Sequence, residues 1–93
     1  MKTYLITYTL RNPSLDYMPL YTAIKTFTPE WRHITENAWL IKTDKTVEEI
    51  RLAIKDGFYL QPVADTYFIC EVVPETANGL IAHSTWEWLN KTE

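Results

Sequence analysis

Two runs of residues, Thr3 to Leu10 (TYLITYTL) and Thr66 to Val73 (TYFICEVV), are apolar on both sides of any strand they form, and this limits the folds open to the chain. β-Branched and aromatic residues favour extended backbone, and strand alternation places Tyr4, Ile6, Tyr8 and Leu10 on one side, with Leu5, Thr7 and Thr9 on the other. In the second run Tyr67 and Ile69 oppose Phe68, Cys70 and Val72. An antiparallel strand with one wet face alternates apolar with polar residues, so these two strands predict a sheet covered on both faces.

The intervening sequence supplies the first cover. Arg11-Asn12-Pro13-Ser14 is a turn, after which Tyr17, Leu20, Tyr21, Ile24 and Phe27 recur at helical spacing until Thr28-Pro29. Trp31 to Thr35 and Ala38 to Thr43 read as a hairpin across Glu36-Asn37. Thr46-Val47-Glu48-Glu49 is a capping box opening a second helix, with Val47, Ile50 and Ile54 inward and an end near Gly57. Phe58 to Asp65 is irregular, and Pro62 argues against a central strand there. After Pro74, the turn at Asn78-Gly79 predicts a short edge strand at Leu80 to Ala82, and Ser84-Thr85-Trp86-Glu87 a second capping box before a helix with Trp88 and Leu89. The expected architecture is one α+β domain over residues 1–93. It is ferredoxin-like, βαββαβ, with a four-stranded antiparallel sheet, two helices on one face, and a short C-terminal strand and helix.

The second face needs its own cover. A chain of 93 residues buries only about 60 to 65% of the surface it exposes when unfolded. The single Cys70 excludes an intrachain disulfide framework, and no Cys and His cluster has zinc spacing. Oligomerisation is the remaining common stabiliser, so a homodimer is expected, with Leu5, Phe68, Cys70, Val72 and Trp86 at its interface. The alternative is that the C-terminal helix, with Trp86 and Trp88, folds back over that face within one chain.

Nine Lys plus Arg against twelve Asp plus Glu give a formal charge of −3, with the basic residues scattered, which disfavours extended nucleic-acid binding. The opening residues are too short and polar an apolar run for a secretory signal or membrane span, which predicts a cytoplasmic protein. Asp16 suits a helix N-cap, Asp65 a loop end, and Ser14 and Ser84 turn and cap positions. His33 and His83 lack a third ligand or nucleophile at a recognisable spacing, and Cys70 sits in an apolar strand as a structural thiol. No catalytic residue, metal ligand set or cofactor is expected. Tyr8, Thr9, Arg11, Tyr17, Trp31 and Arg32, with Lys42 and Lys45 nearby in sequence, are candidates for a small aromatic and basic ligand site, against a reading as scattered solvated charges. Glu36, Asp44, Glu48, Glu49 and Asp56 form an acidic region, ordinary for a helix N-terminus and also suited to a basic partner.

Tyr4-Leu5-Ile6-Thr7-Tyr8, then Leu10, Pro13, Asp16-Tyr17, Leu20 and Ala23-Ile24-Lys25, resemble the opening of the SinR-like relatives of CRISPR-associated protein 2. Trp39 to Asp44, Glu49-Ile50-Arg51 and Trp88-Leu89 fall where that family has similar residues. The resemblance implies a ferredoxin-like fold and pairing through the sheets, often with the C-terminal strand crossing to the partner. It also implies magnesium-dependent nuclease chemistry built on an aspartate in a Tyr-Asp-Leu pattern. Here that pattern is Tyr8-Thr9-Leu10, and a neutral hydroxyl cannot supply the anionic oxygen that magnesium requires. The expectation is therefore a catalytically inactive homodimer that binds a partner protein or a small nucleotide-type ligand, by analogy a phage-type inhibitor of host defence. The competing expectation is a magnesium-dependent endoribonuclease with a displaced site at Asp16 or Asp65.

Overall fold

The computed structural model describes residues 1–9, 18–57 and 66–91. Strand β1 (Lys2–Thr9) leads to helix α1 (Met18–Phe27), the hairpin β2 (Trp31–Thr35) and β3 (Ala38–Thr43), helix α2 (Val47–Gly57), strand β4 (Thr66–Val72), a single 3-10 turn (Pro74–Thr76) and helix α3 (His83–Asn90). The four strands form one antiparallel sheet in the order β2-β3-β1-β4, the ferredoxin-like arrangement. Expectations about Leu10 to Tyr17 and Phe58 to Asp65 lie outside the described residues.

Side-chain parity divides the sheet into two faces. Tyr4, Ile6, Tyr8, Trp39 and Ile41 point toward α1 and α2, where they meet Leu20, Ile24, Ile50 and Ile54 in one buried core. Leu20 and Ile24 share a helix face at i and i+4, as do Ile50 and Ile54. Pro19 is accommodated in the first turn of α1, and Thr28 holds the exit: its hydroxyl donates to the Lys42 carbonyl at 2.9 Å and accepts from the Glu30 N–H at 3.1 Å. At α2 the Thr46 hydroxyl accepts from the Glu49 N–H at 3.2 Å while the Glu49 carboxylate accepts from the Thr46 N–H at 3.3 Å, the reciprocal cap read from the sequence. Val47 is exposed rather than inward: it shares the i, i+3, i+7 stripe of Ile50 and Ile54 but is the first residue of the helix, at the edge of the core.

The opposite face carries a second, smaller core. Leu40, Trp88 and Leu89 are buried there, with Leu5, Ile34, Val72, Ala77 and Trp86 packed around them. Helix α3 thus folds back over the sheet within one chain, and three of the five residues expected at a dimer interface, Leu5, Val72 and Trp86, are engaged internally. Two local expectations fail here. Residues 80–82 form no strand. Helix α3 starts one residue before Ser84, with Ala82 as N-cap and no side-chain capping bond, and Glu87 instead pairs with His83 at 2.9 Å. An isolated helix of eight residues is unstable in water, so α3 owes its existence to this packing, in which burial of Leu89 alone contributes on the order of 2 kcal/mol.

The two outer strands differ. β4 pairs with β1 without interruption from Thr3↔Val72 to Thr9↔Thr66, whereas the β2 register breaks between His33 and Thr35. Among the described residues no helix is long and apolar enough to cross a membrane.

Candidate functional site

Strand pairing determines which side chains can share a site. Trp31 pairs with Ile41 and His33 with Trp39, so both lie on the α1 and α2 side; Arg32 pairs with Leu40 on the α3 side. Tyr8 is buried on the first side, and Thr9 faces the second. The expected ligand group is therefore split across the sheet, with Tyr8 and Trp31 on one face and Thr9 and Arg32 on the other, while Arg11 and Tyr17 lie outside the described residues.

On the first side the aromatic residues satisfy one another. The Trp39 indole N–H donates to the Tyr8 hydroxyl at 2.8 Å, and that hydroxyl donates to the Glu36 carbonyl at 3.3 Å. Burial pushes the Tyr8 phenol well above its ordinary value, a rise that the Trp39 hydrogen bond only partly opposes. His33 stacks flat on Trp39 at 4.2 Å with its Nε2 3.4 Å from the Glu36 carbonyl, Tyr21 tilts against both rings, and the Lys25 ammonium lies 5.1 Å from the Trp31 ring centre. This is a cluster of packed rings that reaches the surface at His33, and the polar tip of Tyr8 is spent inside it.

On the second side Trp88 is held on three counts. Its indole N–H donates to the Glu30 carboxylate at 2.8 Å, and the Arg32 guanidinium and the Lys42 ammonium lie 4.9 and 4.7 Å from its ring. Lys42, read from the sequence either as part of a ligand site or as a solvated charge, is only 4% exposed and donates to the carbonyls of Trp88 at 2.6 Å and Lys91 at 3.2 Å. It caps the C-terminus of α3, where unpaired carbonyls concentrate negative charge. Lys45 pairs with Glu49 at 3.7 Å on the surface. Arg32 and Lys45 are occupied by protein partners, and Lys42 is committed through two of its three donors.

What α3 leaves open is the other half of the same face. Phe68 is 62% exposed at the middle of β4, opposite Thr7, which in turn pairs with Ala38; Thr9 and Thr66 form the next pair. Cys70, expected buried, is half-buried at the boundary between the covered and open halves, across from Leu5. The open patch of Thr7, Thr9, Ala38, Thr66, Phe68 and Cys70 contains no charged side chain. Among the described residues no three His, Cys, Asp or Glu side chains are grouped to hold a metal ion.

The sequence signal for Phe68 and Cys70 was their parity in a strand apolar on both sides. The role of Lys42 had a weaker signal, a lysine placed between Ile41 and Thr43 on a strand whose neighbours are all apolar or small. No family model, curated protein or solved structure matches the chain.

Proposed function

We propose that the protein is a homodimeric binding module of the SinR-like and CRISPR-associated protein 2-like kind, without hydrolytic chemistry of its own, and that two copies meet on the open half of the sheet. The carrying observation is Phe68, a large aromatic ring left 62% exposed midway along the edge strand β4, on the half of the sheet face that α3 does not cover. A lone exposed apolar residue is ordinary, but this one continues a strip through Cys70 and Leu5 into the core beneath α3. The patch is uncharged although the chain carries −3, so a second copy approaches it with little like-charge opposition. The family relation rests on the residues given above and on the shared element order. With Tyr8 and Trp31 separated from Arg32, protein interaction is better supported than capture of a nucleotide-type ligand.

Light scattering tests the reading. A mass of twice 11.0 kDa, falling to 11.0 kDa in Phe68→Glu, is the expected result. A wild-type mass of 11.0 kDa across micromolar concentrations overturns the dimer, and chelator-sensitive cleavage of labelled RNA would replace the inactive module with a magnesium-dependent endoribonuclease.

A further inference from the structure

A cleft of about 370 Å³ lies at the end of the sheet remote from Phe68, between the start of β1, the end of β4 with its 3-10 turn, and the last turn of α3. Its lining includes Thr3, Lys42, Glu71, Glu75, Asn90 and Lys91. Thr3 and Lys42 are directly opposed across the β1 and β3 pairing, so their side chains share the α3 face. They are also among the most deeply buried polar residues, at 6% and 4% exposure.

Both bring donors that the protein does not fully use. Two of the three ammonium protons of Lys42 are matched by the Trp88 and Lys91 carbonyls, and no ion pair joins it to a carboxylate among the described residues. The Thr3 hydroxyl makes no hydrogen bond among the described residues, and no buried side-chain oxygen there is left without a partner, so this hydroxyl retains contact with solvent. A buried cation held by two carbonyl dipoles and the face of Trp88, beside a free hydroxyl in a cleft, has no anionic oxygen among the described residues.

We infer that Thr3 and Lys42 form an oxyanion site in this cleft and that its ligand is a small molecule bearing a single carboxylate. The hydroxyl and the ammonium both donate to the same group, a charge-assisted arrangement. Single charge follows from the surroundings. Lys2 and Glu71 pair with one another at 3.9 Å from the opposite face of the sheet, which leaves Lys42 and Lys91 against Glu75 and the carbonyl end of α3, a balance that suits one negative charge. The volume lies at the lower end of the small-ligand range, which suits a small molecule. The site is separate from the Phe68 surface and does not depend on the dimer.

The test is an amide and indole NMR titration of the full chain with sodium acetate and sodium butyrate, against sodium chloride at equal ionic strength. Saturable shifts confined to Thr3, Lys42, Val72, Asn90 and the Trp88 indole are expected. Thr3→Val, which keeps the strand shape and leaves Lys42 in place, should weaken binding about tenfold, the scale of one hydrogen bond to a charged group. Thr22→Ala, exposed on α1 and away from the cleft, should leave it unchanged. Shifts that do not saturate, shifts matched by chloride, equal affinity in Thr3→Val, or tighter binding of inorganic phosphate than of the carboxylates would each overturn the assignment.

Discussion

The Lys42 ammonium donates to the Trp88 carbonyl at 2.6 Å across 46 residues of chain, so a charge in the middle of the sheet terminates the last helix. The bond fixes α3 at its C-terminus, while Trp88 fixes it to Glu30 and Arg32.

Removing that charge exposes how α3 is held. Lys42→Met keeps much of the aliphatic stem but strips the donor from two carbonyls, and is expected to lower stability by about 2 kcal/mol in urea unfolding, with loss of the distinct Trp88 indole resonance. Lys45→Ala removes only a surface pair with Glu49 and should change stability by less than about 0.5 kcal/mol. Equal effects from the two substitutions would contradict the capping role.

Stability should fall on the alkaline side. The folded-state pKa of Tyr8 is raised above the ordinary 10.0, chiefly by burial, so the folded protein holds that proton over a range in which the unfolded chain releases it. The contribution is complete below 10.0 and is lost as pH rises from there through the folded value. Urea midpoints measured on either side of 10.0 are expected to drop for the wild type and to drop less for Tyr8→Phe.

The two predicted helix caps differ sharply in consequence. Thr46→Ala removes a formed reciprocal cap and should cost about 1 kcal/mol in urea unfolding. Ser84→Ala touches no capping bond, because Ala82 holds that position, and should stay within about 0.5 kcal/mol.

Adjacent residues of β4 separate folding from association. Ile69→Ser disturbs the α1 and α2 core and should cost about 2 kcal/mol or more. Phe68→Ser should leave the circular dichroism and urea midpoint of the subunit nearly unchanged while reducing the scattered mass to 11.0 kDa.

Much of the fold was written in local patterns. Alternation at Tyr4, Ile6 and Tyr8, helical spacing at Leu20 and Ile24, and the Thr46 to Glu49 cap each act within a few residues, and each formed as read. The apolar character of Leu5 and Val72 correctly required a cover, whereas Phe68 stays exposed, and α3 over one half of the face is a long-range outcome that no local pattern carries. The ligand group failed for a reason available in the sequence: Trp31 and Arg32 are consecutive in a strand, and consecutive side chains point to opposite faces. Ser84 failed as a cap because the helix acquired one more residue, and α3 takes its limits from packing by Trp88 and Leu89 rather than from capping. Lys42 could not be recognised as buried until α3 was seen to supply its acceptors.

The broken register of β2 has a bearing on growth. A strand interrupted between His33 and Thr35 is a poor template for another chain, whereas the unbroken β4 offers a straight border. Pairing face to face through Phe68 spends neither border, so growth beyond two subunits would start on β4 and not on β2.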